Sequence, residues 1–143
     1  MAFGLEDASS GSEAERSARV VECLALVQLP GIGASFPASL SGGMKKRVAL
    51  ARSLAGAPKA LMYDEPTAGL DPVTANHVNR VIRDLQARLT MTSIVVTHDV
   101  ASALFVADRI AFLSDGQVAW EGSVDDARTR PTPTLAAFMR GEA

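Results

Sequence analysis

The sequence lacks a loop that could cradle a triphosphate unaided. No G-x-x-x-x-G-K-[ST] run occurs in its 143 residues, and none of its 11 glycines is followed by lysine. Cysteine is nearly absent. The single Cys23 excludes an internal disulfide and fits a reducing compartment. Its neighbours are apolar, so a buried, inert thiol is expected. Long apolar runs are missing too: nothing approaches the roughly 20 residues of a bilayer span. The first residues, Met1 to Asp7, show neither a basic leader nor a signal-peptide core, so the expectation is a cytoplasmic chain that meets a membrane only through a partner. There is no basic excess. Fourteen lysines and arginines face 16 acidic residues, a net charge of −2, which gives no reason to expect nucleic acid as a partner. What remains is ordinary for a soluble domain, with 48% hydrophobic and 21% charged residues and enough length for a real core.

The punctuation of the chain predicts its elements. Residues 6–13 are acidic and serine-rich and are expected to be mobile. Ser12 and Glu15 have capping-box spacing, which predicts a helix to about Gln28 with Val20, Val21, Leu24 and Val27 near one face. Pro30, Gly31 and Gly33 end it, and Phe36-Pro37 continues a loop. A second helix is expected from Gly42 to Ala55, stopped by Gly56 and Pro58. Residues 60–63 read as a short strand buried on both faces, as in parallel sheets. Asp71-Pro72 starts a helix that should reach Leu89. A β-branched strand over 93–97, a helix over 99–107 and a third strand over 110–113 follow. Asp115-Gly116 signals a hairpin, with Gln117 to Trp120 pairing back. Ser123 and Asp126 open a short helix, and Pro131 and Pro133 precede a last one. Strands alternating with helices predict an α/β fold with a mostly parallel core and an antiparallel end.

Three places carry chemistry. Asp64-Glu65-Pro66 follows a buried strand, where α/β sheets place ligands. There Asp64 could hold Mg²⁺ against nucleotide phosphates, and Glu65 could orient an attacking water. Pro66 should bias Glu65 towards an extended backbone. A strand simply running into a polar turn is the plainer account. Ser41-Gly42-Gly43 opens a helix, where free N–H groups and the positive dipole end suit phosphate oxygens. The glycine pair weakens the first turn, which implies that something approaches the backbone closely. Lys45, Lys46 and Arg47 should make the turn more attractive to anions. A serine cap with a solvated basic face is the alternative. His98 follows the second strand and could contact a γ-phosphate or a water, or serve only structurally. Asp71 reads equally well as a helix cap, His77 as a solvated helix residue and Trp120 as hairpin packing.

Taken in order, these segments resemble the ATP-binding cassette (ABC) ATPases over nearly the whole chain from Ala14. Leu40-Ser41-Gly42-Gly43-Met44 looks like the signature motif, continued in family style from Arg47 to Leu54. Residues 60–64 look like the Walker B strand, with Glu65 in the place of the catalytic glutamate. Residues 68–71 look like the D-loop, and His98 like the switch histidine. Within the family, residues 41–47 and 63–69 look most like the ATPases of Mla/Mce-type lipid transporters. Two departures stand out: Met44 replaces the usual glutamine, and no Walker A, adenine-stacking loop or Q-loop is found.

The resemblance implies an incomplete P-loop NTPase domain of the ABC type. Residues 1–39 would be the end of a helical subdomain, and 40–143 the C-terminal part of the ATPase core. It implies ATP and Mg²⁺ as cofactors, with Glu65 and His98 catalytic and Asp64 on the metal. Ser41, Gly42, Gly43 and Asp71 would contact nucleotide. A second nucleotide-binding domain, packed head to tail, and a membrane permease are the implied partners, and the full activity would be ATP-driven transport, with phospholipid a candidate cargo. Without Walker A, this chain alone is expected to hydrolyse negligible ATP. It could instead act as a non-catalytic partner lending its signature in trans, or be inactive. The Walker B strand would then leave an apolar edge open to pairing with another chain.

Overall fold

A computed structural model describes residues 12–142. The acidic stretch expected to be mobile therefore lies, up to residue 11, outside the described residues. Two compact units follow one another, one up to Val96 and one from Thr97.

Among the described residues the first unit holds three α-helices, two short 3₁₀ turns and two strands. Helix α1 (Glu13–Leu26) begins with the expected capping box: Ser12 Oγ accepts from Glu15 N–H, while the Glu15 carboxylate accepts from Ser12 N–H at 2.6 Å. Cys23, Leu24 and Val27 form its buried face, whereas Val21 points outward and is exposed. Burial pushes the Cys23 thiol up, as an inert cysteine requires. Two short 3₁₀ turns (Ile32–Ala34 and Pro37–Ser39) lead to helix α2 (Gly42–Leu54). The two helices brace each other's ends. Arg47 of α2 donates to the Val27 and Gln28 carbonyls after α1, and Arg19 of α1 donates to the Leu54 and Ala55 carbonyls at the end of α2. Each guanidinium meets a negative helix terminus, where a cation is favoured.

Strand β1 (Ala60–Asp64) pairs in parallel with β2 (Thr92–Val96), Met62 opposite Ile94 and Asp64 opposite Val96. The crossover is helix α3 (Pro72–Leu89), whose buried face is Ala75, Val78, Val81, Ile82 and Leu85. The core of this unit lies among the three helices and one face of the strand pair, with Leu50, Leu54 and Tyr63 inside it. Burial pushes the Tyr63 phenol up. The neighbouring Ser93 hydroxyl offsets this only in part, because the contact falls short of a well-formed hydrogen bond.

The expectation of a strand buried on both faces does not hold. Leu61 and Tyr63 turn towards the core, but Met62 is 67% exposed, Ile94 51% and Val96 47%. Side chains alternate along a strand, so one apolar run serves a packed face and a bare one. Among the described residues neither strand has a second neighbour.

The second unit contains α4 (Val100–Val106), the antiparallel pair β3 (Arg109–Ser114) and β4 (Gln117–Ser123), α5 (Val124–Thr129) and α6 (Pro133–Arg140). The third strand thus joins a hairpin rather than extending the parallel pair. Asp115 and Gly116, at φ +52° and +74°, make the left-handed turn their types favour. Ser123 caps α5 by accepting from Asp126 N–H. Phe112 of β3 stacks on Phe138 of α6 at 5.1 Å between centroids. Trp120 packs on the hairpin as expected, its ring filling the space above Gly122.

Candidate functional site

The start of α2 and the end of β1, both in the first unit, build the candidate site. Ser41 is extended (φ −64°, ψ 164°) and caps α2: its Oγ accepts from Met44 N–H at 3.2 Å, and its carbonyl accepts from Lys45 N–H at 2.9 Å. Helix geometry gives the first-turn N–H groups of Gly42 and Gly43 no intrahelical acceptor. They are the donors this tip can offer, at the positive end of the helix dipole. The Ser41 hydroxyl keeps its own proton to donate.

A group does approach the glycine pair closely, and it belongs to this chain. A side chain at Gly43 would place its Cβ 2.3 Å from Thr74 Cγ2, and one at Gly42 would lie 3.2 Å from Leu70 Cδ2. The turn into α3 packs directly against the tip of α2.

The basic residues correct another expectation. Lys46 donates from Nζ to the Glu65 carbonyl at 3.0 Å, and Arg47 is spent on the carbonyls after α1. Burial pulls the Arg47 guanidinium below its ordinary value. Two of the three cations read as an anion-attracting face are thus structural braces, while Lys45 is exposed.

At the end of β1, Asp64 is exposed. Glu65 is not extended, as Pro66 predicts, but left-handed, with φ +45°. The turn outweighs the local bias. Glu65 N–H donates to Val96 O at 2.9 Å, and its carbonyl accepts from Ala68 N–H at 3.2 Å as well as from Lys46. A left-handed non-glycine residue costs about 1–2 kcal/mol, which such bonds can hold in place. Gly69, at φ +76°, continues the turn. Asp71 then caps α3, Oδ1 accepting from the N–H groups of Val73 and Thr74, each at 3.0 Å. Hydrogen bonds, first from the Thr74 side chain, hold its carboxyl below the usual range. The helix-cap reading of Asp71 is therefore realised.

The structure thus joins Ser41, Gly42 and Gly43 to the turn bearing Glu65 and Asp71. Beside the tip runs a groove of about 390 Å³ whose lining includes Ser41, Met44, Arg47, Thr74, His77 and Arg80. His77, expected to be solvated, is exposed. His98 belongs to the second unit, where it is exposed just before Asp99, the cap of α4. It borders a small cavity of about 70 Å³, otherwise walled largely by apolar side chains such as Leu104, Phe112 and Phe138. Hydrogen bonds, led by that from the Ser102 hydroxyl, hold the Asp99 carboxyl low. Among the described residues no group of three or more His, Cys, Asp or Glu could hold a metal by itself. One exposed carboxylate, Asp64, fits a Mg²⁺ that takes its other ligands from phosphates and water. Sequence reasoning missed Lys46 as the brace of Glu65 and Thr74 as the neighbour of Gly43. Neither leaves a local signal, because each partner lies far away in the sequence.

Residues 3–68 match the family model described as ABC transporter. An iron(III) import ATP-binding protein (FbpC 1) of Rhizobium meliloti is 44% identical over the whole of this chain and 40% of its own length. A sulfate/thiosulfate import ATP-binding protein (CysA) of Xylella fastidiosa is 42% identical over 97% of this chain and 41% of its own. Among solved structures, the dimeric bacterial ABC transporter cassette MJ0796 superposes with a TM-score of 0.68 at 38% identity, over 81% of this chain and 50% of that one. The ADP-bound cassette MJ1267 gives 0.79 at 25% identity, over 92% and 52%. The fold is that of these cassettes, a P-loop NTPase α/β fold. The chain spans about 40% of the length of the curated relatives. They are named for iron and sulfate import, so the likeness to Mla/Mce lipid transporters finds no support in them.

Proposed function

We propose that this chain, related by sequence and fold to the ATP-binding domains of ABC transporters, supplies the signature tip and the Walker B carboxylates of an ATPase that drives import across a membrane. The tip of α2 carries the reading: a serine-capped helix start offering two glycine amides and a hydroxyl to an anion. In this role Ser41, Gly42 and Gly43 contact the terminal phosphate of ATP held by a second nucleotide-binding domain packed head to tail. Asp64 ligates Mg²⁺, Glu65 orients the attacking water, and His98 and Asp71 complete the surroundings of the phosphate. Residues 1–39 are the end of the helical subdomain, and 40–143 belong to the ATPase core. The relatives' names favour a small inorganic ion over a phospholipid as cargo. No helix among the described residues is long and apolar enough to cross a membrane. In this role the chain works in the cytoplasm, bound to an integral permease.

The contacts absent from this sequence are those that hold and position the β- and γ-phosphates. The chain alone therefore hydrolyses negligible ATP, and its own contribution is made in trans. Mixing it with a complete homologous ATPase tests this. ATP turnover should change, and Ser41→Arg should abolish the change. Identical turnover with the chain, with the variant and with neither would refute the trans role. Turnover by the chain alone with Mg²⁺ and ATP, lost in Glu65→Gln, would refute the predicted inactivity.

A further inference from the structure

We propose that Thr74 is a positioning residue for the tip of α2, and that position 43 is glycine on its account. The proposal rests on the tip being the phosphate-facing element. A Cβ at Gly43 would meet Thr74 Cγ2 at 2.3 Å, closer than real side chains come, whereas the Thr74 Cβ lies at an ordinary 3.8 Å. Gly43 is buried, and Thr74 is half-buried at the edge of the groove beside the tip. The methyl cannot rotate freely. Thr74 is β-branched within a helix, its N–H bonds Asp71 Oδ1 at 3.0 Å, and its hydroxyl also bonds the Asp71 carboxylate. The methyl is therefore a fixed wedge. It sets how far the Gly42 and Gly43 amides stand from the turn bearing Glu65 and Asp71, without itself touching nucleotide. The neighbouring contact is softer, since only the flexible end of Leu70 faces Gly42, at 3.2 Å.

The rival account is that a bound phosphate needs the empty space at Gly43. Rescue separates the two. Thr74→Ser removes the methyl and keeps the hydroxyl bond to Asp71. Gly43→Ala should lower the Tm by about 5 °C, a typical overpacking loss for a domain of this size. Adding Thr74→Ser should recover more than half of that loss, together with the chain's effect on the turnover of a complete ATPase. Gly42→Ala should cost less than Gly43→Ala. A double variant no more stable than Gly43→Ala overturns the proposal. So does one that regains its Tm but not its effect on turnover, because the glycine then answers to the ligand. If Gly43→Ala is insoluble, a soluble double variant supports the wedge, and an insoluble one beside soluble Thr74→Ser refutes it. If the unsubstituted chain leaves turnover unchanged, the phosphate-facing reading of the tip fails, while the Tm comparison still decides whether Thr74 explains the glycine.

Discussion

The tip of α2 and the end of β1 are the two halves of the candidate site, and they are finished to different degrees. The tip stands on a packed core, is capped by Ser41, and has its glycine notch filled by Thr74. The strand end carries Asp64 and Glu65 on a two-stranded sheet with one face bare and no further strand beside it among the described residues. A helix end satisfies its backbone within a few residues. A strand borrows its partners from elsewhere in the sequence. The same chain can therefore present one half of the site complete and leave the other standing on an open sheet.

Removing the support of the tip should have the largest effect. Leu54, buried at 1% exposure at the far end of α2, should cost about 2–5 kcal/mol as Leu54→Ala, read by urea denaturation. A loss under 1 kcal/mol would mean the tip stands without its core. Next is the brace between the halves. Lys46→Met removes a charged donor from the Glu65 carbonyl and should cost about 1–2 kcal/mol. The same variant should alter the effect on a partner ATPase more than Lys45→Met does. No difference between the two would show that the halves are not coupled through Lys46.

A smaller effect is expected in acid. The folded state holds the Asp71 carboxyl below its usual range, so it favours the ionised form. The stability this contributes is present above the ordinary carboxylate value of about 4 and is lost as the pH falls below it, through the lower folded-state value. Asp71→Asn keeps a capping side chain and should flatten the acid limb of the unfolding midpoint while leaving pH 7 nearly unchanged. An unaltered acid limb would assign that loss to other carboxylates. The smallest effect belongs to the bare face. Met62→Thr and Ile94→Thr should each change stability by no more than about 0.5 kcal/mol and increase soluble yield. A loss like that of Leu54→Ala would show the face to be packed in solution.

Much of the scaffold was legible because its signals are local. Ser12 with Glu15, Asp71-Pro72, Asp115-Gly116 and Ser123 with Asp126 act within four residues, and each begins or turns an element where expected. The glycine pair correctly announced a close approach. What approaches it was not legible, because Leu70 and Thr74 reach it only once α3 has packed on α2. Pro66 misled about Glu65 for the same reason: its local bias is outweighed by the bond Glu65 donates to Val96 and the one it accepts from Lys46.

The sequence by itself determined where helices and strands begin, which residues could face a phosphate, and which family the order of motifs resembles. These depend on neighbours along the chain and on the chemistry of single side chains. Only the tertiary structure decided that Lys46 and Arg47 brace the fold, that Glu65 turns left-handed, and that one face of β1 and β2 stays bare. Each of those is a contest between a local preference and a distant partner, and packing settles it.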